Sequence, residues 1–264
     1  WIASLFRASY GDEKTRTILS AFLAEPPITL RVNTLKTTRD ALVSALRSAG
    51  YDAAPSPLCG TAVLLPECNV TSLPGFEEGH FFVQDVASQL CVAALDARPG
   101  QNNADLCACP GSKSFGMAID MQDTGRLLSC DLHDNKLSLV ASGAARLGIT
   151  NITTRAHDGR APIPDVRPFD RILCDVPCSG FGVLGKKPEI RHKDLAACAG
   201  LPAIQAAILE NAAGHLAPGG RLVYSTCTLL REENDDVIAA FLAAHPDFHT
   251  VRTRVGSLDL PGTL

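Results

Sequence analysis

From Phe81 onward the chain alternates short apolar runs with helical stripes, and the apolar runs end in polar, turn-rich motifs. FFVQ leads into a helix predicted from Asp85 to Ala97. NADLC, a helix near Ser112 to Met121, GRLLSCD, a helix from His133 to Leu147, NITTRAHD and FDRILCD follow. A helix from Leu201 to His215, the run GGRLVYSTC and a helix from Glu232 to Ala244 complete the pattern. In the His133 helix, Leu137, Val140, Ala144 and Leu147 share one side, and Gly148 supplies the stop. A β-α-β-α order of this kind implies a parallel sheet covered on both faces. Ligands of such sheets bind at the carboxyl ends of the strands, which is where the polar motifs fall.

The first 80 residues read differently. Asp12 to Ala24 carries a helical stripe of Ile18, Leu19, Phe22 and Leu23, stopped by Pro26-Pro27. ITLRVNTL (28 to 35) alternates like a strand. Thr37 and Asp40 resemble a capping box for a helix that ends at Gly50. AVLLP (62 to 66) is a short strand, and the LPG turn at 73 to 75 marks the expected boundary. The expected units are therefore 1–78, a small α/β subdomain, and 79–264, the alternating domain.

A chain of 264 residues with 46% hydrophobic content can bury a sizeable core. Its formal net charge of −4 excludes a global polycation, so a nucleic-acid partner needs a local basic patch. No apolar stretch is long enough for a membrane span and no signal peptide is visible, so no membrane partner is expected and the location reads as cytoplasmic. The first residue is Trp1, which reads as a fragment of a longer chain. Ten cysteines in such a chain are expected to be reduced thiols. No metal is expected, because C-x-x-C is absent and Cys107 and Cys109 lack a second pair at zinc spacing. Cys59, Cys68, Cys91, Cys130, Cys174 and Cys198 read as small apolar packing residues.

ADLCACPGSKSFGMA (104 to 118) reads as a strand, a Pro-Gly turn and a helix start, which together offer backbone N–H groups to a ligand. By itself this could be an ordinary tight turn. The next strand ends in Asp131, 20 residues after Gly111 (131 − 111), the spacing at which an acid holds ribose hydroxyls. The third strand ends near Asp158, where an adenine amine could be met. Three strand ends suited to a nucleoside favour a nucleoside-bearing cofactor, although any one acid could be a helix cap. The residues alone leave NAD and S-adenosylmethionine both open.

Two cysteines sit at the exits of the last two predicted strands. Cys178 lies in DVPCSGFG and Cys227 in YSTCT. If the strands are neighbours, their exits are roughly 5 Å apart, and both thiols face one pocket with Asp175 on its rim. A thiolate there is a strong nucleophile. Two structural thiols inside polar, turn-rich motifs are a poorer reading, and a redox pair would want C-x-x-C.

DLCACPGSK, DVPCSGFG and YSTCTLLREEN closely resemble the motifs of the RNA cytosine-5 methyltransferases, especially the bacterial Sun/RsmB branch that modifies small-subunit ribosomal RNA. QDVASQL, LRVNTLK and KKPEIRHK resemble it too, so the likeness covers about residues 10 to 250. It implies a Rossmann-like S-adenosylmethionine-dependent methyltransferase fold, α/β with a mostly parallel sheet, behind a small N-terminal RNA-binding-like subdomain. It maps Cys107, Ala108, Cys109, Pro110, Gly111, Ser112 and Lys113 onto the cofactor loop, and Asp131, Asp158 and Asp175 onto further cofactor contacts. It makes Cys227 the nucleophile at C6 of cytosine, Asp175 a partner of the base edge near N3, and Cys178 the thiol that helps to expel Cys227. The loop of that family usually reads CAAPGGKT; here Cys109, Ser112 and Ser114 stand for an alanine, a glycine and a threonine, all small. Relative to that branch, the sequence lacks an N-terminal all-helical domain and ends at Gly262-Thr263-Leu264 before a Gly-Phe-Phe strand. An edge strand is therefore expected to be missing or to lie outside it.

Lys186, Lys187, Arg191 and Lys193 in KKPEIRHK form a basic loop after the Pro-Cys motif; the residues alone read better as a solvated surface loop, and the family resemblance implies that it holds RNA phosphates. Arg31, Lys36 and Arg39 could extend that track. His80, His215 and His245 read as surface or packing residues. Two rival readings remain. A DNA cytosine-5 methyltransferase would attack with Cys178, but its Glu-Asn-Val motif is absent and Cys227 would then have no purpose. A non-catalytic ribosome-assembly factor would not need both cysteines.

Overall fold

The computed structural model describes residues 1–255 and 258–260. The chain opens with α1 (Ile2–Leu23), β1 (Ile28–Val32), α2 (Arg39–Ser48), β2 (Ala54–Pro55), β3 (Ala62–Leu65) and β4 (Phe81–Val83). There follow α3 (Val86–Leu95), β5 (Asn102–Asp105), α4 (Ser112–Asp120), β6 (Arg126–Asp131), α5 (Asp134–Leu147), β7 (Ile152–Ala156) and β8 (Phe169–Asp175). The order closes with α6 (Leu201–Gly214), β9 (Leu216–Ser225), α7 (Asp235–Ala244), β10 (Thr253–Val255) and β11 (Leu258–Leu260). No helix among the described residues is long and apolar enough to cross a membrane. The expectation about Gly262 to Leu264 lies outside the described residues.

Five strands form one parallel sheet in the order β7-β6-β5-β8-β9. Alternation along β8 shows how its two faces are filled. Leu173 packs with Val92, Met117 and Val140 from α3, α4 and α5. Ile172 and Cys174 point the other way, onto Ile208 and Ala212 of α6. The chain runs outward from β5 to β7, then returns across β5 to β8. That reversal opens a crevice between the carboxyl ends of β5 and β8.

The first sheet is antiparallel, in the order β2-β3-β1-β4. β4 pairs with β1, Val32 opposite Phe81; FFV therefore ends the small sheet before it leads into α3. Helix α2 is capped by Thr38, whose Oγ1 accepts the Ala41 N–H at 3.2 Å, in place of the expected Thr37. Helix α1 begins ten residues earlier than its apolar stripe suggested (12 − 2) and is broken at Gly11, where φ is 73°.

On the sequence alone, Arg31 could extend a track for RNA. It is instead 2% exposed. Its guanidinium crosses from β1 to α4, meeting Asp120 Oδ1 at 2.6 Å and Gly116 O at 3.2 Å. Asn33 Nδ2 likewise donates to Leu147 O at 2.9 Å, and Lys36 Nζ to Arg146 O at 3.2 Å. Alternation put Arg31 on a strand face, and the packing of α4 against that face buried it.

Candidate active site

The turn after β5 carries the residues Cys107 to Lys113. Gly111 turns it with φ 117°, a backbone that side chains rarely adopt, and caps α4. Two bonds join the turn to β6: Ala108 N–H to Cys130 O at 2.8 Å, and Cys109 N–H to Asp131 Oδ2 at 3.2 Å. The other Asp131 oxygen accepts the His133 N–H at 3.0 Å. Ser112 O accepts from Gln84 Nε2 at 3.1 Å. Burial and then the Asp131 charge push the Cys109 thiol up to about 12, and burial raises Cys107 too, so neither is a thiolate at neutral pH. Asp158 stands two residues past β7, and Arg160 grips its carboxylate with Nη2 at 2.6 Å and Nε at 2.9 Å. These bonds hold it down to about 2.

Asp105, at the end of β5, escaped the sequence reading. It is fully buried. Ser114 Oγ donates to its Oδ2 at 2.7 Å, and Ser129 Oγ lies 2.9 Å from Ser114 Oγ. Burial raises its carboxyl to about 7 against the Ser114 hydrogen bond. The polar Asn-Ala-Asp ending of a buried strand was the one available signal.

Lys113 and Asp175 meet across the crevice, Nζ to Oδ2 at 2.6 Å. Ser225 Oγ donates to the other Asp175 oxygen at 2.7 Å. Asp175 and Ser225 are register partners at the ends of β8 and β9, so adjacent parallel strands do deliver both thiol segments to one place.

Cys178 Sγ and Cys227 Sγ are 3.1 Å apart, well beyond the roughly 2.05 Å of a disulfide. All ten cysteines are free thiols. At that distance either thiol could donate to the other, and two effects decide which sulfur carries charge. The Cys227 N–H donates to Cys178 Sγ at 3.2 Å, which favours charge on Cys178. Cys178 is the less exposed sulfur, and burial disfavours charge there. A hydrogen bond from the Cys178 S–H to Cys227 prevails, reinforced by the deeper burial of Cys178. Cys227 is lowered to about 7, with help from the Lys113 charge against burial and the Asp175 charge, and Cys178 is raised. Of the six cysteines read as packing residues, Cys59, Cys91, Cys130 and Cys174 are buried, and Cys68 and Cys198 are partly buried.

The basic loop is anchored by Ile190, buried with Phe6, Phe181 and Leu230. Its cations differ in use. Lys186 pairs with Asp85. Lys193 Nζ donates to Ser179 O at 2.6 Å, inside the Pro-Cys motif. Lys187 and Arg191 are exposed and form no salt bridge among the described residues.

Residues 92–260 match the family model described as 16S rRNA methyltransferase RsmB/F, and residues 1–71 match a ferredoxin-like domain model of RsmF/B-like methyltransferases. The chain belongs to the RsmB/F family. It is 39% identical over 251 residues to the probable ribosomal RNA small subunit methyltransferase B of Bacillus subtilis, covering 94% of this chain and 56% of that protein. It thus spans little more than half of that relative's length. The crystal structure of PH0851 superposes with a TM-score of 0.92 at 29% identity, over 98% of this chain and 60% of that one. A methyltransferase homolog from Pyrococcus horikoshii gives 0.79 at 31% identity, over 89% of this chain and 75% of that one. The RsmB/F membership and these neighbours agree with the Rossmann-like fold that the strand order displays.

Proposed function

We propose that this chain carries the catalytic part of an enzyme that moves a methyl group from S-adenosylmethionine to C5 of cytosine in small-subunit ribosomal RNA. Residues 1–78, whose sheet is completed by β4 (Phe81–Val83), serve as the RNA-binding-like subdomain, and the rest of 79–264 as the methyltransferase domain. The observation that supports this most is the thiol pair, 3.1 Å apart and beside Asp175 at the exits of two parallel strands. RsmB/F membership supports the same class of reaction.

The crevice suits a nucleoside-bearing cofactor. Asp131 is half-exposed and offers acceptor oxygens to ribose hydroxyls. Leu132 beside it is 59% exposed, an apolar surface for a purine. The Cys107–Lys113 turn, Asp158 and Asp175 would complete the cradle; Asp158 shares its oxygens with Arg160. When bound, the cofactor supplies an electrophilic methyl group on a sulfonium sulfur.

Cys227 Sγ attacks C6 of the target, opening the C5=C6 bond and making C5 electron-rich enough to accept a methyl group. Asp175 accepts a hydrogen from the amino group on the base edge near N3, and the Lys113 ammonium beside it balances the negative charge that develops on the ring. A base then removes the C5 proton, the C6–S bond breaks, and Cys178 assists the departure of Cys227. Lys187 and Arg191 hold backbone phosphates, and the target leaves its stack to enter the pocket.

A trapping assay tests this. Wild type, Cys178→Ala and Cys227→Ala are incubated with ribosomal RNA and methyl-labelled cofactor, then run on a denaturing gel. A labelled protein–RNA adduct in Cys178→Ala, and none in Cys227→Ala, is expected. An adduct that depends on Cys178 reverses the roles, as in DNA cytosine-5 methyltransferases; the Cys227 N–H bond to Cys178 is the feature that favours that reading. Absence of methyl transfer by every variant favours a non-catalytic assembly factor.

A further inference from the structure

Two adjacent residues after β9 hold the two thiol segments. Glu233 is 1% exposed, in a 3-10 turn of Arg231–Glu233. Its Oε2 accepts the Ser179 N–H at 3.0 Å and a Gln205 Nε2 hydrogen at 2.8 Å. Gln205 Nε2 also donates to Pro177 O at 3.0 Å. Pro177 and Ser179 flank Cys178, so the backbone on both sides of that thiol is tied to one buried pair.

Asn234 holds the other segment. Its Oδ1 accepts from Thr226 Oγ1 at 2.7 Å, and its Nδ2 donates to Thr228 O at 3.2 Å and Leu230 O at 2.8 Å. Thr226 and Thr228 flank Cys227. Ser179 Oγ and Thr228 Oγ1 lie 2.8 Å apart and close the circuit between the segments. Tyr224 OH donates to Glu233 O at 2.6 Å, fixing the turn to β9.

A polar side chain this buried is costly to strip of water, and no cation pairs with Glu233 among the described residues. An apolar side chain would fill the space at lower cost. What the carboxylate offers instead is an acceptor for a backbone N–H next to a reactive sulfur.

We infer that Glu233 and Asn234 form a bracket that sets the separation of Cys178 and Cys227 and aims Cys227 at its target. Both are positioning residues, touching neither substrate nor cofactor. The inference deepens the proposed methyl transfer and rests on that reading for its kinetic readout alone.

The test uses the full chain as wild type, Glu233→Ala, Glu233→Gln, Asn234→Ala and Gln205→Ala. Iodoacetamide labelling of Cys227 is followed against pH by peptide mass spectrometry, with kcat and KM for RNA measured in parallel. Glu233→Ala and Asn234→Ala should move the labelling midpoint up by about one pH unit and lower kcat about 10- to 100-fold, the scale of a 1 Å misplacement. KM for RNA should stay within about threefold. Glu233→Gln keeps an acceptor oxygen for the Ser179 N–H and should restore both readouts to within about threefold of wild type. Unchanged cofactor affinity by calorimetry verifies the fold of each variant. A folded Glu233→Ala with wild-type midpoint and kcat overturns the bracket. If Glu233→Ala does not fold, Asn234→Ala and Gln205→Ala decide by the same criteria. If wild type methylates no RNA, the proposed function fails, and the labelling profile alone still supports or overturns the bracket.

Discussion

Lys113 Nζ lies 2.6 Å from Asp175 Oδ2 and ties the turn after β5 to the last residue of β8. Burial works to lower the ammonium, but the Asp175 charge and hydrogen bond outweigh it, so Lys113 stays protonated. The same charge reaches Cys227, where it favours the thiolate. One side chain thus neutralises the carboxylate and helps to charge the sulfur.

Lys113→Met should therefore act twice. Asp175 keeps only Ser225 as a partner, at a cost of about 1–3 kcal/mol for a hydrogen bond to a charged group. Cys227 loses a nearby positive charge, and its labelling midpoint should rise. Urea unfolding and pH-dependent alkylation measure the two effects. An unchanged midpoint would show that Lys113 acts on Asp175 alone.

The reactivity of Cys227 should climb through about pH 7 in the wild type and level off above it, because only the thiolate reacts and the pair holds Cys227 down. Cys178→Ala deletes the S–H donor, the largest cause of the lowering, so the curve should shift to higher pH. A curve that stays in place would show that Cys178 does not donate to Cys227.

Asp105 gives a stability signature. Its folded carboxyl is raised to about 7 from 3.8, so the folded state keeps a proton that the unfolded chain has lost. The contribution is complete below about pH 4 and disappears as pH rises through 7. Thermal or urea unfolding should show stability falling between pH 4 and 7. Asp105→Asn, neutral at every pH, should flatten that slope. An equally steep slope in the variant would assign it to other groups.

Gly182 N–H donates to Cys227 O at 2.9 Å. A Cβ added at Gly182 would stand 2.8 Å from that same oxygen. Gly182→Ala must therefore push the Cys227 segment. Methyl transfer should fall about tenfold or more while cofactor affinity holds; wild-type kcat would mean that the segment moves without cost.

Lys187→Ala and Arg191→Ala should weaken RNA binding evenly across sequences. Each should reduce the slope of log affinity against log salt by about 1. Lys186→Ala should do less, because Asp85 already neutralises that ammonium. Filter binding at several salt concentrations separates the three.

Strands that end on a charged or polar side chain were legible in the sequence. FDRILCD matches β8 residue for residue, and Asp131 does close β6. The pairing of β8 with β9, and so the meeting of the two cysteines, followed from reading their exits as neighbours. Contacts between distant segments were less legible. FFV joins the small sheet only through β1, some 50 residues away (81 − 32 = 49). The partners of Asp105 come from α4 and β6, which no local pattern links. The last helix was read from Glu232, whereas α7 starts at Asp235. The residues between belong to the turn that grips both thiol segments. Acidic residues at a helix start look like dipole partners in sequence, and only the fold reveals that Glu233 points inward.

Arg31 joins β1 to α4 through a guanidinium that water barely reaches. Removing Asp120 alone would leave the buried guanidinium without its charge partner, at a cost below the about 3–5 kcal/mol of a fully buried pair, because Asp120 is itself 30% exposed. Asn33 and Lys36 tie the same part of the chain to α5. If, as proposed, the antiparallel subdomain grips RNA, these ties would hold the span from the gripped phosphate to Cys227 near one length, like the throat of a caliper. On the proposed function, the modified nucleotide would then be selected by its distance along the strand as well as by its base. Changes on the antiparallel sheet should slide the modified position along the RNA and leave the preference for one base intact.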